Sequence, residues 1–253
     1  MAQPAPSAAK RPIVAAPAYR SACSHGNVSA ALVAMRGPPV VNQTAYQHEL
    51  YNNAQYAGVI DKWGEDTVWI EVLFLLAGCT GRVLDIACGT GRNIHDLTKT
   101  FSHLDVHGTD ISPLLLKMAA SKGIPEDHLT VADNGKPLPY PDQHFDCAYS
   151  IGSFEHFSVS GLATVLTETA RVTERASFHM VPVSSRNRNE GWRANTQPAW
   201  RMSVDWWVAH FNQTCSSVSV LHSRWGGGAE RGIWICCYYP YPSRRARLDY
   251  GSL

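Results

Sequence analysis

The sequence predicts an α/β fold, a mostly parallel sheet with helices on both faces. Three observations carry that expectation. Short apolar runs alternate with helix-like stretches through the middle of the chain, as βαβ units require. The run Val83-Leu84-Asp85-Ile86 leads into a turn, Ala87-Cys88-Gly89-Thr90-Gly91, and then into a helix-like segment. A second acid, Asp110, closes the next apolar run roughly 25 residues later. Strand, tight turn and helix N-terminus in that order hold a nucleotide-like ligand against backbone N–H groups. An acid ending the second strand can accept both hydroxyls of a ribose.

The elements follow along the chain. Residues 46–77 read as helical, with Tyr51, Tyr56, Trp63 and Trp69 ahead of the run Ile70-Glu71-Val72-Leu73-Phe74-Leu75-Leu76. Strands are expected near 82–87, 104–109, 128–132, 144–151 and 176–183, separated by helices near 92–101, 113–122 and 160–172. Ser112 and Pro113 supply an N-cap and a first-turn proline to the second of these helices. A helix near 203–211 precedes strands near 216–222 and 231–239. The stretch 185–202, with Arg186, Arg188, Glu190, Trp192, Arg193, Gln197 and Trp200, reads as a long loop. Such loops act as lids or binding loops, or are structured surface excursions.

Composition narrows the class. At 253 residues and 45% hydrophobic, the chain makes one domain with a proper core. A formal charge of +1 gives no long-range field for nucleic acid or membrane. Seven cysteines include no C-x-x-C pair, so no metal site is expected, and they read as reduced thiols in an intracellular protein. Neighbouring Cys236 and Cys237 lie on an expected strand and should face opposite sides. No apolar run reaches the ~18 residues that span a bilayer. Residues 1–48 lack Asp and Glu and are rich in Ala, Pro and Ser. The chain therefore divides into a flexible or targeting segment (1–45), a catalytic domain with a helical cap (46–242) and a basic tail (243–253). The expected location is the cytoplasm, with a mitochondrial or other organelle matrix as the alternative that an acid-free N-terminus allows.

The turn after the first strand reads D-x-A-x-G-x-G, with the acid before the glycines, whereas a dinucleotide site prefers G-x-G-x-x-G. This resembles motif I of the class I S-adenosylmethionine-dependent methyltransferases, with Ala87 in the first glycine position. Two later passages carry the same resemblance. His107-Gly108-Thr109-Asp110-Ile111-Ser112 ends the second strand, and Val131-Ala132-Asp133-Asn134 precedes Pro137-Leu138-Pro139-Tyr140-Pro141-Asp142-Gln143-His144-Phe145-Asp146. The resemblance spans about Tyr46 to Tyr239 and is closest to the type 11 methyltransferase domain. It implies a Rossmann-like three-layer sandwich of seven strands, with one antiparallel strand near the C-terminus. It implies S-adenosylmethionine as cofactor and S-adenosylhomocysteine as product. By the same resemblance, Asp85, Ala87, Cys88, Gly89, Gly91 and Asn93 shape the cofactor turn. Asp110 and Ile111 meet the ribose, Asp133 with its neighbour Asn134 meets the adenine, and Ser150 lies at the end of the fourth strand. The N-terminal helices would close over the cofactor, with Tyr51 or Tyr56 touching it or packing in the core.

Methyl transfer from a sulfonium is an in-line displacement that needs alignment and exclusion of water. A base is needed when the acceptor is a poorly ionised hydroxyl or a protonated amine. His156 and Glu155, just after the fourth strand, are candidates for that work; His156 is alternatively a histidine bonded to backbone. His179, in mid-strand, is a third candidate or a satisfied core histidine. The long loop, with Arg beside Trp, suits an anionic or planar acceptor. No Asn-Pro-Pro-Tyr follows the fourth strand, which argues against the amino-methylating nucleic-acid and glutamine enzymes. The expected acceptor is a small molecule (a metabolite, a sugar or a lipid-linked group) methylated on oxygen or nitrogen. The alternatives are an RNA methyltransferase, organellar or not, and a non-catalytic assembly factor in a ribonucleoprotein. The oligomeric state is not legible.

Overall fold

The computed structural model describes residues 49–60, 68–193 and 198–239. The expectations for segments 1–45 and 243–253, and for Trp63 and Gln197, lie outside these residues.

Two helices, α1 (Ala54–Ile60) and α2 (Val68–Leu76), precede the sheet. The alternation then runs β1 (Gly81–Ile86), α3 (Arg92–Thr100), β2 (Leu104–Asp110), α4 (Pro113–Ser121), β3 (Leu129–Val131), β4 (Phe145–Ile151), α5 (Val159–Val172) and β5 (Thr173–Ser184). A short ribbon of β6 (Gly191–Arg193) and β7 (Ala199–Arg201) follows, then α6 (Val204–Phe211), β8 (Ser217–Gly227) and β9 (Glu230–Tyr238). The seven-stranded sheet has the order β3-β2-β1-β4-β5-β9-β8. The pairings from β3 through β5 are parallel, and β9 runs antiparallel to both β5 and β8. The final hairpin therefore inserts its second strand next to β5, the one reversed strand that the sequence led us to expect. No helix among the described residues is long and apolar enough to cross a membrane.

Helix starts follow their capping residues. Ser112 Oγ accepts from Leu115 N–H with Pro113 in the first turn, Ser158 Oγ caps α5 through Gly161 N–H, and Ser203 Oγ caps α6 through Trp206 N–H. Helix α3 differs, because Gly91 stands at its N-cap in the left-handed region (φ 68°) with no side-chain cap. Its first N–H groups are left facing the carboxyl edge of the sheet, as an anion or polar ligand requires.

The sheet separates two cores, as parallel strands buried on both faces must. One gathers Val72, Leu76, Ile94, Leu97 and Leu116 against Val83, Val106 and Tyr149. The other gathers Leu162, Val165, Leu166, Trp207 and Phe211 against Leu84, Ile86 and Val181. Cys236 belongs to the first and Cys237 to the second, so the adjacent thiols do face opposite sides.

The stretch 185–202 is not a plain loop. Its ribbon packs Trp200, 1% exposed, into the second core, and the Trp200 indole N–H donates to Phe157 O at 2.8 Å.

Candidate functional site

The carboxyl ends of the parallel strands open onto a cavity of about 350 Å³. This is where an open α/β sheet places its ligand, on either side of the strand at which the winding reverses, here between β1 and β4. One end is built by the turn after β1. Ala87, Gly89 and Gly91 all have positive φ (60°, 55° and 68°), so three left-handed residues curl the backbone around the cavity. A Cβ at Gly91 would strike Ile124 and would lie 2.8 Å from Ala119 Cβ, so only glycine lets α3 sit this close to α4. A Cβ at Gly108 would lie 2.6 Å from Cys88 Sγ, which explains glycine one residue after His107 in β2. Cys88 is thus a buried filler packed on β2.

Two acids frame the turn. Asp110 accepts Gly89 N–H (2.9 Å) on one carboxylate oxygen and Ser112 N–H (2.8 Å) on the other. The acid at the end of β2 therefore holds the turn after β1 in shape, and its remaining lone pairs face the cavity. Asp85 accepts the Tyr149 hydroxyl at 2.7 Å, because strand register sets Asp85 opposite Tyr149. Burial pushes Asp85 up to about 8, partly offset by the Tyr149 bond and reinforced by nearby Asp110. Burial likewise raises Asp110 to about 6, against the three backbone N–H groups that favour its charge. A cationic group delivered to this end would meet the largely ionised Asp110 beside Asp85, which dehydration holds protonated near pH 7.

Asp133 and Asn134 line the next wall. Asp133 accepts Gly135 N–H at 3.0 Å and pairs with Lys136 at 3.2 Å. Asn134 is 3% exposed and its Oδ1 is buried without a partner among the described residues, as is Asn93 Oδ1 at the start of α3. Two amide oxygens aimed at a cavity without partners fit a hydrogen-bonding ligand. Ile111 also lines the cavity, as do Tyr51 and Tyr56 from the N-terminal cap. Arg92 enters from α3 and lies over the Trp69 ring at 4.5 Å.

The other end belongs to Ser153, Glu155, His156 and the ribbon. Glu155 is 5% exposed, its Oε2 has no partner among the described residues, and burial pushes it up to about 8. His156 Nδ1 lies 2.7 Å from Pro198 O, so Nδ1 carries a proton, and the Gly152 backbone also bonds the ring. Nε2 is 3.7 Å from Glu155 Oε1. With burial lowering His156 and raising Glu155, both are neutral near pH 7, and the pair is acid beside base rather than an ion pair. Arg193 and Arg201 reach the same end from the ribbon, but each has a carboxylate. Arg193 binds Glu190 at 2.7 Å and Arg201 binds Glu230 at 2.7 Å. The ribbon thus presents compensated charge rather than a cationic grip.

Two expected site residues lie elsewhere. Ser150 and His179 are fully buried behind the cavity wall and bond each other at 2.8 Å. His179 also meets Ser177 Oγ at 2.8 Å and stacks on Phe154, and burial drives it down to about 3. That is the satisfied core histidine. Sequence reasoning did not single out Tyr149, Pro182 or Glu230. Tyr149 stands 64 residues from Asp85, and strand register alone joins them.

The strand order, the acid-ended β1 and β2 and the left-handed turn are those expected from the resemblance to the class I S-adenosylmethionine-dependent methyltransferases. Residues 83–176 match the family model of the methyltransferase domain. The chain is 34% identical over 130 residues to the ubiquinone/menaquinone biosynthesis C-methyltransferase UbiE of Pseudomonas paraeruginosa, covering 48% of each protein. It therefore spans about half the length of the curated relatives it matches. Its fold is similar to geranyl diphosphate C-methyltransferase from Streptomyces coelicolor A3(2), with a TM-score of 0.63 at 11% identity, over 80% of this chain and 100% of that one. Magnesium protoporphyrin IX methyltransferase from Synechocystis PCC 6803, with bound S-adenosylmethionine, gives a TM-score of 0.58 at 12% identity, over 80% of this chain and 100% of that one.

Proposed function

We propose that this protein transfers a methyl group from S-adenosylmethionine to a small polar acceptor held between His156, Glu155 and the β6–β7 ribbon. The observation that carries the reading is a single cavity with two chemically distinct ends. The turn end offers dehydrated carboxyls and unpartnered amides. The other offers a neutral base beside a neutral acid.

At the turn end, Asp110, Asn93 and Asn134 hold the cofactor's polar groups, with Asp133 on the same wall, and Asp85 ionises as its positive charge arrives. The bound cofactor supplies an electrophilic methyl carbon, whose bond to sulfur breaks as the bond to the acceptor forms. His156 Nε2 takes the acceptor proton, and its Nδ1–H bond to Pro198 O fixes the ring for that task. Glu155, protonated at neutral pH, donates to a second oxygen or nitrogen of the acceptor. Tyr51 and Tyr56 exclude water from the junction, which strengthens every polar contact there. The compensated arginines favour an acceptor of low net charge over the phosphates of RNA.

The acceptor atom is oxygen or nitrogen in this reading. The 34% identity over 130 residues to a C-methyltransferase supports a second, in which the atom is an activated carbon. His156 takes a proton in both. The test is label transfer from methyl-labelled S-adenosylmethionine to a panel of hydroxylated, amino and enolisable small molecules, with products identified by mass. Turnover of one acceptor class is expected, with His156→Ala lowering kcat by about 100-fold. Full activity in His156→Ala, or label entering RNA and no small molecule, would sink the assignment.

A further inference from the structure

Away from the cofactor cavity, β2 carries Asp105 and His107 two residues apart, hence on one face. The turn Glu126–His128 brings His128 against them from the edge of the sheet. His107 Nε2 lies 3.0 Å from Asp105 Oδ1 and His128 Nε2 lies 3.6 Å from the same oxygen. All three donor atoms fall within 4.8 Å of one another. From these contacts we propose that Asp105, His107 and His128 bind a zinc-like divalent transition-metal ion.

Three features support the site. First, four-coordinate zinc with bonds of about 2.0–2.1 Å sets its ligand atoms about 3.3 Å apart, and the two observed separations straddle that value. Second, the His128 Nδ1–H bonds to Val106 O at 3.1 Å, which leaves the Nε2 lone pair facing Asp105. A histidine fixed by a backbone carbonyl through its far nitrogen is how metal-ligating histidines are held. Third, His107 Nε2 is buried with no hydrogen-bond partner among the described residues, despite its nearness to Asp105. It is misaligned for a hydrogen bond, and a buried nitrogen of this kind needs another partner.

The ligand set is two nitrogens and one oxygen. Nearby His144 is occupied by Arg82, whose guanidinium lies 3.0 Å from its Nε2. Water therefore completes the coordination. Two imidazoles and a carboxylate suit zinc and its late neighbours rather than magnesium or calcium. Asp105 is 45% exposed and His128 29%, so the ion enters directly from solvent. No C-x-x-C spacing announced this site, because its ligands come from a strand and a turn about twenty residues apart. Bound metal would tie the turn before β3 to β2, the strand that ends in Asp110.

The test is calorimetric titration of the metal-stripped full chain with zinc chloride, with the melting temperature followed in parallel. One equivalent of bound zinc and a raised melting temperature are expected. Cobalt in its place should give the visible bands of a four- or five-coordinate nitrogen and oxygen site. Asp105→Asn and His128→Gln, both at solvent-facing positions, should each weaken zinc by about 100-fold or more. Unaltered S-adenosylhomocysteine binding in the same variants would report an intact fold. No zinc binding, or affinity unchanged in either variant, overturns the proposal.

Discussion

At Ala87 the backbone holds φ at 60°, in a turn where relatives with the D/E-x-G-x-G-x-G motif place glycine. Read as a sequence, the exchange of one small residue for another looks mild. The structure gives it a conformational cost, since an L-residue in the left-handed region loses about 1–2 kcal/mol against the right-handed one. Ala87→Gly should therefore stabilise the protein by about 1 kcal/mol, part of the relief being returned as the greater chain entropy of glycine. For a domain of this size that is roughly 2–4 °C in melting temperature, readable by differential scanning calorimetry. A lowered melting temperature would mean that the Ala87 methyl packs usefully. Residue types alone disclosed the acids and glycines here, because each sits at a fixed offset from a strand end. They did not disclose that Asp110 is first of all a brace for Gly89, a bond set by how two strands lie side by side.

Among the elements, α2 is the one whose attachment the sequence hid. Its run from Ile70 to Leu76 reads as uniformly apolar with Glu71 as an interruption. Yet Glu71 accepts Ser223 Oγ (2.6 Å), Arg224 N–H (2.6 Å) and Trp234 Nε1–H (2.7 Å), and so rivets the helix to the final hairpin. A carboxylate satisfied three times over is worth more than the apolar side chain it displaces. Glu71→Ala should cost about 2–3 kcal/mol, since it strands the indole N–H of Trp234, 2% exposed. Urea unfolding would measure it, and a loss below about 0.5 kcal/mol would show the cluster to be incidental. Most strand and helix ends elsewhere were legible to within a residue or two, since period and capping residues report them locally, but β5 begins at Thr173 rather than 176 and β8 runs on to Gly227 rather than 222. Ser112 and Pro113 are examples, cap and first-turn proline as expected. The ribbon at 191–201 was not legible, because three-residue strands leave no period to read.

For the molecule as a whole, buried ionisable groups set an acid-shifted stability profile. Asp85, Asp110 and Glu155 sit at about 8, 6 and 8, above the value near 4 of an unfolded carboxyl. The folded state then holds protons that the unfolded chain releases, so this contribution is full below about pH 4 and is lost as pH rises toward 8. His179 at about 3 and lowered His156 act oppositely, and their contribution is lost as pH falls below about 6.5. Of these five groups, the acids alone act between pH 6.5 and 8. The melting temperature of the ligand-free protein should fall across that window, and Asp85→Asn should flatten the fall. A melting temperature that rises there would contradict the buried-acid account. The bond from Glu71 to Trp234, 163 residues apart, also bears on how the chain is made. Synthesis at 5–20 residues per second leaves α2 waiting about 10–30 s for the strand that receives it. Throughout that interval Val68, Val72 and Leu76, buried in the folded protein in the core that Trp234 joins, lack that cover on the nascent chain, which makes the newborn protein a client for holding chaperones until its last hairpin emerges.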